Sequence, residues 1–188
     1  MDWDELGDRL EQIADTLAPD HRIGALRQLL DELPEGSEGR AEVLSNLADD
    51  LVGDGQLDAA EHTYQAAIDD GGRTVLTPQV GLLTIALARR DEGRVDELLT
   101  SLLARSRSDQ LVVGDYEWIG ESLEDAGRLR DALRWLTIPL RDIQPGDVDR
   151  LPILALDARY RVRRALDLPI DAYDDARDVW HEMDEARP

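Results

Sequence analysis

The sequence predicts an all-α fold of about ten helices stacked as successive helix–turn–helix units, and three observations predict it. The 188-residue chain has no Phe and only 4% aromatics, so its core must be filled mainly by Leu, Ala, Val and Ile. That mixture suits closely packed helices better than a sandwich or barrel, which draw on β-branched and aromatic residues. Apolar residues also recur with helical spacing, as in Leu44, Leu47, Ala48 and Leu51. Finally, "GDGQLDAAEHTYQAAI" from Gly53, "DEGRVDELLTSLLA" from Asp91 and "DAGRLRDALRWLTIPL" from Asp125 share one form: a Gly, an apolar residue two places on, then a helical pattern. Their glycines, Gly55, Gly93 and Gly127, stand 38 and 34 residues apart, a period that marks a repeat architecture.

Taken in order, "WDELGDRL" opens a first helix with Trp3, Leu6, Gly7 and Leu10, and a turn stretched around Pro19 and Asp20 delays its partner to Ala25 and Leu29. Leu44, Leu47, Ala48 and Leu51 make the next first helix, with Gly55 as turn and Ala60, Tyr64 and Ala67 in its partner. Leu82, Ile85, Ala86 and Gly93 repeat the pattern more weakly, because Arg89, Leu98 and Arg105 stand at positions expected to be apolar or small. Tyr116, Ile119, Gly120, Leu123, Gly127, Ala132 and Leu136 restore it, until Pro139 interrupts the second helix. With these residues the chain resembles the tetratricopeptide repeat, a helix–turn–helix unit of 34 residues.

The resemblance implies a right-handed α-α superhelix, with repeats over residues 1–36, 37–74, 75–110 and 111–145. Small residues would let helices approach, large ones would fill the gaps, and stacked pairs would share a core that no pair has alone. After Pro145 the pattern is lost. Residues 146–188 read as a divergent capping pair of the same domain, with a break at Leu168-Pro169 and a last helix opened by Asp171. This tail is also similar to bacterial repeat proteins that carry a cysteine-rich (SEC-C) zinc motif; the chain has no Cys, so no zinc site is carried over.

Composition bounds the function. A formal charge of −21, from 21 basic and 42 acidic residues, repels phosphate backbones, so no nucleic-acid partner is expected. All the basic side chains are Arg. Without Cys there is no thiolate metal site or Cys nucleophile. The acidic start "MDWDELGDRL" does not read as a leader, and no apolar run has the length of a membrane span, so a cytoplasmic protein without a membrane partner is expected.

Asp50 to Glu61, "DLVGDGQLDAAE", comes close to a calcium loop, with Asp50, Asp54, Gly55, Asp58 and Glu61 at the expected places. Val52 stands where a side-chain oxygen is required, and the template fails when shifted to Gly93 or Gly127 while the helix–turn–helix pattern survives. The turn is the preferred reading, and a calcium-responsive regulator is the alternative. "GDG" at Gly53 lacks the strand and the third Gly of a phosphate loop, and "HEMDE" at His181 lacks the second His of a zinc helix. No acid, base and nucleophile come together in any pattern, so neither an enzyme nor a cofactor is expected.

In this repeat family the first helices line a concave surface. The positions facing it would be Asp4, Asp8 and Glu11, with Met1 at the end; then Glu42 and Asp49; then Val80, Leu83, Leu87 and Arg90; then Glu117, Glu121 and Glu124. So acidic a groove is expected to bind a basic peptide or protein face, with Val80, Leu83 and Leu87 supplying burial. The basic cluster Arg159, Arg161, Arg163 and Arg164 has two readings: it pairs with neighbouring carboxylates, or it meets the acidic groove of a second copy in a homo-oligomer.

Overall fold

The computed structural model describes residues 2–186, with the backbone alone at Asp20. It is an all-helical array with ten α-helices and no strand among the described residues. Contacts cluster into two compact units, residues 1–99 and 100–188.

In the first unit, α1 (Trp3–Thr16), α2 (Pro19–Asp31), α3 (Arg40–Gly53), α4 (Leu57–Asp70) and α5 (Pro78–Arg89) follow one another. Each packs on the next, and α3 also touches α5, so α3 meets both its own partner and the following first helix. Asp2 caps α1 by accepting from the Glu5 N–H at 2.9 Å. Pro19 takes the first position of α2, where its missing N–H costs nothing. The stretched turn expected around Pro19 and Asp20 is therefore only Leu17 and Ala18.

The turn from α3 to α4 reverses at Gly55, which has φ +76. Leu47, Ala48, Leu51, Ala60, Tyr64 and Ala67 are all buried beneath it. Gly81 makes the next packing possible, because a Cβ there would stand 2.0 Å from the Tyr64 ring carbon Cζ. The third turn differs from the one expected at Gly93. Helix α6 (Glu92–Arg107) already contains Gly93, and the left-handed position falls to Arg90, at φ 57. The boundary between the two units lies within α6.

In the second unit, α7 (Val113–Asp125), α8 (Leu129–Thr137), α9 (Ile153–Ala165) and α10 (Ala172–Glu185) repeat the same neighbour pattern: α7 on α8, α8 on α9, and α7 also on α9. The buried Asp115 carboxylate accepts from the Val112 N–H at 2.9 Å and holds the start of α7. Gly127, at φ +74, makes the turn. Gly120 lets α7 approach α8, since a Cβ would lie 2.4 Å from Leu136 Cγ. Pro139 ends α8 at Thr137, and the chain continues as a 3-10 turn over Ile138–Leu140. Leu140, Leu151, Leu156 and Ala176 then form the core beneath α9 and α10, with Tyr173 bonding the carbonyls of Leu140 and Ile143 at 3.3 and 2.9 Å. Asp171 caps α10, accepting from the N–H groups of Tyr173 and Asp174 at 3.0 and 3.1 Å.

Candidate functional site

The residues expected to face a partner fall into three physical groups. Asp4, Asp8 and Glu11 stand exposed on α1, four and three residues apart and so on one side of the helix. None of the three makes a hydrogen bond or ion pair with a described residue. Met1 lies outside the described residues.

A second group is structural. Val80 and Leu83 have no exposed surface; they belong to the core and offer nothing to a partner. The reason is that α5 is apolar nearly all round, with Pro78, Leu82, Ile85 and Ala86 buried as well, and such a helix is enclosed by its neighbours. Leu87 is half-buried and Arg90 exposed. Glu42 is only 8% exposed, and its carboxylate accepts from the Val75 N–H at 2.8 Å and from Asn46 Nδ2 at 3.1 Å, so it fastens the segment entering α5.

Asp49 lies between these cases. Its surface is exposed, while its carboxylate accepts from the hydroxyl of Tyr64, which is 1% exposed. Accessibility and protein crowding pull in different directions, and crowding governs the ionisation. Loss of hydration pushes the carboxyl up to about 6, helped by the charges of Glu42 and Asp50 and opposed by the Tyr64 bond. Burial and the Asp49 charge in turn raise the Tyr64 phenol. The adjacent Asp50 faces Arg22 Nε at 3.4 Å.

In the second unit, Glu117, Glu121 and Glu124 are half-buried on α7. Arg161 reaches across from α9 to Glu121 at 2.8 Å and to Glu124 at 3.1 Å, so two of the three carboxylates are already engaged by one guanidinium. Glu117 is pushed up by burial first and the Glu121 charge second. Two more members of the basic cluster turn inward, while Arg164 stays exposed. Arg159, 4% exposed, bonds Asp171 at 2.5 Å and Asp174 at 3.2 Å, and Arg163 joins the same two carboxylates at 3.1 and 3.0 Å. Burial alone would raise Asp171, but the Arg159 bond, the cap and both guanidinium charges hold it below the usual carboxylate range. Sequence reasoning named this cluster without its partners, Asp171 and Asp174, which lie on another helix.

The loop-like stretch from Asp50 to Glu61 does not form a cation cage. Helix α3 runs to Gly53 and α4 starts at Leu57, which leaves three residues between them where a calcium loop needs most of its twelve. Asp58 and Glu61 both pair with Arg89, the latter at 2.5 Å. Among the described residues no group of three metal-ligating side chains converges, and no helix is long and apolar enough to cross a membrane.

No family model matches the chain, and neither the curated proteins nor the solved structures give a significant match.

Proposed function

We propose that the chain is a non-catalytic scaffold of tetratricopeptide-like helix pairs whose first helices offer acidic faces to a basic peptide or protein. The observation that carries the reading is the α1 face, where Asp4, Asp8 and Glu11 are exposed, aligned and unpaired among the described residues. Carboxylates that served only to fasten the fold would be engaged, as Glu42, Glu121 and Glu124 are. The repeat character is supported by the packing of α3 on α4 and α5, and of α7 on α8 and α9, with glycines at the close approaches. A cluster of like charge steers an oppositely charged partner and sets orientation more than affinity, so binding should be fast and salt-sensitive.

A fluorescence-anisotropy titration with a labelled arginine-rich peptide tests the site. Wild type should bind, and raising salt from about 50 to about 300 mM should weaken it severalfold through screening. The triple variant Asp4→Asn, Asp8→Asn, Glu11→Asn alters only exposed side chains; its Kd should rise at least about tenfold, roughly 1.4 kcal/mol. Equal binding by both proteins would reject α1 as the site.

A further inference from the structure

In a chain of charge −21, arginines that share one face and make no ion pair with a described residue stand out. Arg9, Arg89, Arg128 and Arg161, among others, each have a carboxylate partner. Arg130, Arg134 and Arg141 have none: they make no hydrogen bond or ion pair with a described residue. With Leu133, Thr137 and Ile138 they line a shallow groove of about 380 Å³ along α8 and the 3-10 turn that extends it. Positions 130, 133, 134, 137, 138 and 141 follow the spacing of one helix face, so the three guanidinium groups flank an apolar strip about 16 Å long.

The same unit carries a face of the opposite kind. On α10, Val179 and Met183 are 44% and 45% exposed. Asp175, Asp178 and Glu182, all exposed, edge them at positions of the same template, i, i+3, i+4, i+7 and i+8. Among the described residues only Asp178 of these acids has a partner, Arg177 at 2.7 Å.

We propose that the arginine face of α8 docks on the acidic, apolar-centred face of α10 of a second copy. The contact is made twice in this proposal, α8 of each copy on α10 of the other, so that it closes a two-fold dimer rather than running on as an open head-to-tail chain. A single helix-on-helix contact falls short of the roughly 800 Å² per partner of a stable interface, and the reciprocal pair doubles it. Val179 and Met183 gain burial against Leu133, while the charges set register and orientation more than strength. Long-range repulsion between two chains of this charge is largely screened at about 0.15 M salt, where the Debye length is about 8 Å, whereas contact pairs persist. A different acidic protein would meet the same repulsion without the matched spacing. The Arg159 to Arg164 cluster is not the docking element, since Arg159, Arg161 and Arg163 are engaged within their own chain. This dimer makes no use of the α1 face, so it stands or falls apart from the proposed scaffold function.

Sedimentation and light scattering of the full chain test it, at about 100 μM and about 0.15 M salt. Wild type should have the dimer mass. The charge-reversed variants Arg130→Glu, Arg134→Glu, Arg141→Glu and Asp175→Arg, Asp178→Arg, Glu182→Arg should each be monomeric, with a self-association Kd raised at least about tenfold. Mixed in equal amounts they should form a dimer, because every contact then joins opposite charges again. All six positions are exposed, and circular dichroism checks that the variants are folded. If a reversal disturbs the fold, Arg130→Gln, Arg134→Gln, Arg141→Gln should weaken the dimer in the same direction. A monomeric wild type, a dimer that survives both reversals, or variants that stay monomeric when mixed would each overturn the proposal.

Discussion

A methyl group on Gly81 would have to share space with the ring of Tyr64, whose nearest atoms stand 2.0 to 2.5 Å from it. Alanine gains about 1 kcal/mol over glycine within a helix, while overpacking a filled core costs about 1–3 kcal/mol. Tyr64 is rigid, buried and tied to Asp49, so the clash should win, and Gly81→Ala should lower unfolding stability by about 1–2 kcal/mol in urea titration. Gly120→Ala meets the flexible end of Leu136 and should cost less. Arg90 shows the reverse case: its left-handed backbone costs a non-glycine residue about 1 kcal/mol, so Arg90→Gly should stabilise by about that much. The sequence announced Tyr64 and Gly55, because each fits a repeat position. It hid Gly81 and Arg90, because which residue bears a close approach or a positive φ depends on how long the turn is. Asp49 adds a pH dependence. Its carboxyl titrates near 6 when folded and near 3.9 when unfolded, so between these values the native state binds more protons and stability falls as pH rises. The effect should be near 1 kcal/mol, reduced by the solvent that reaches the side chain. Asp49→Asn should remove it, as read from melting curves between about pH 4 and 7.

Among helix pairs, the joint between α9 and α10 depends most on buried charge. Arg159 and Asp174 have side chains 5% and 3% exposed, and removing Arg159 leaves the enclosed Asp174 with Arg163 as its remaining cation. Breaking such a pair costs about 3–5 kcal/mol. Arg159→Met should destabilise by less than that, about 2–3 kcal/mol in urea titration, because Arg163 still pairs with Asp174. Arg161→Met removes only the half-exposed links to Glu121 and Glu124 and should cost under about 1 kcal/mol. Comparing the two variants separates a structural cluster from a surface one. The helices, the break before α10 and its Asp171 cap were legible in the sequence, since each has a local chemical cause. It could not tell which basic residues turn inward, because that depends on rotation of α9 against α7 and α10. The same limit displaced Val80 and Leu83 to a binding face, although the apolar run "VGLLTIALA" carried the signal of a helix covered on most sides.

For the whole chain, charge is the property with the widest reach. Acidic side chains outnumber basic ones two to one, 42 against 21, so even complete pairing would leave half the carboxylates facing like neighbours. Compaction concentrates that repulsion, and unfolding relieves it. Added salt acts in two senses: it weakens surface pairs such as Arg9 with Glu32, and it weakens the like-charge repulsion. Surface pairs contribute little each, and the Arg159 network is shielded from solvent by its burial, so relief of repulsion should dominate. The melting temperature should rise when sodium chloride goes from about 10 mM to about 0.5 M, as the Debye length shrinks from about 30 to about 4 Å. Dilute protein keeps association from contributing to the change. Calcium chloride should give a rise too, by general screening, and Asp54→Ala should leave that rise unchanged, because α3 and α4 turn on three residues and hold no cage there. A calcium effect lost in Asp54→Ala would instead restore the stretch from Asp50 to Glu61 as a metal loop. A melting temperature that falls with sodium chloride would mean that paired charges, not the excess of carboxylates, set the stability of the fold.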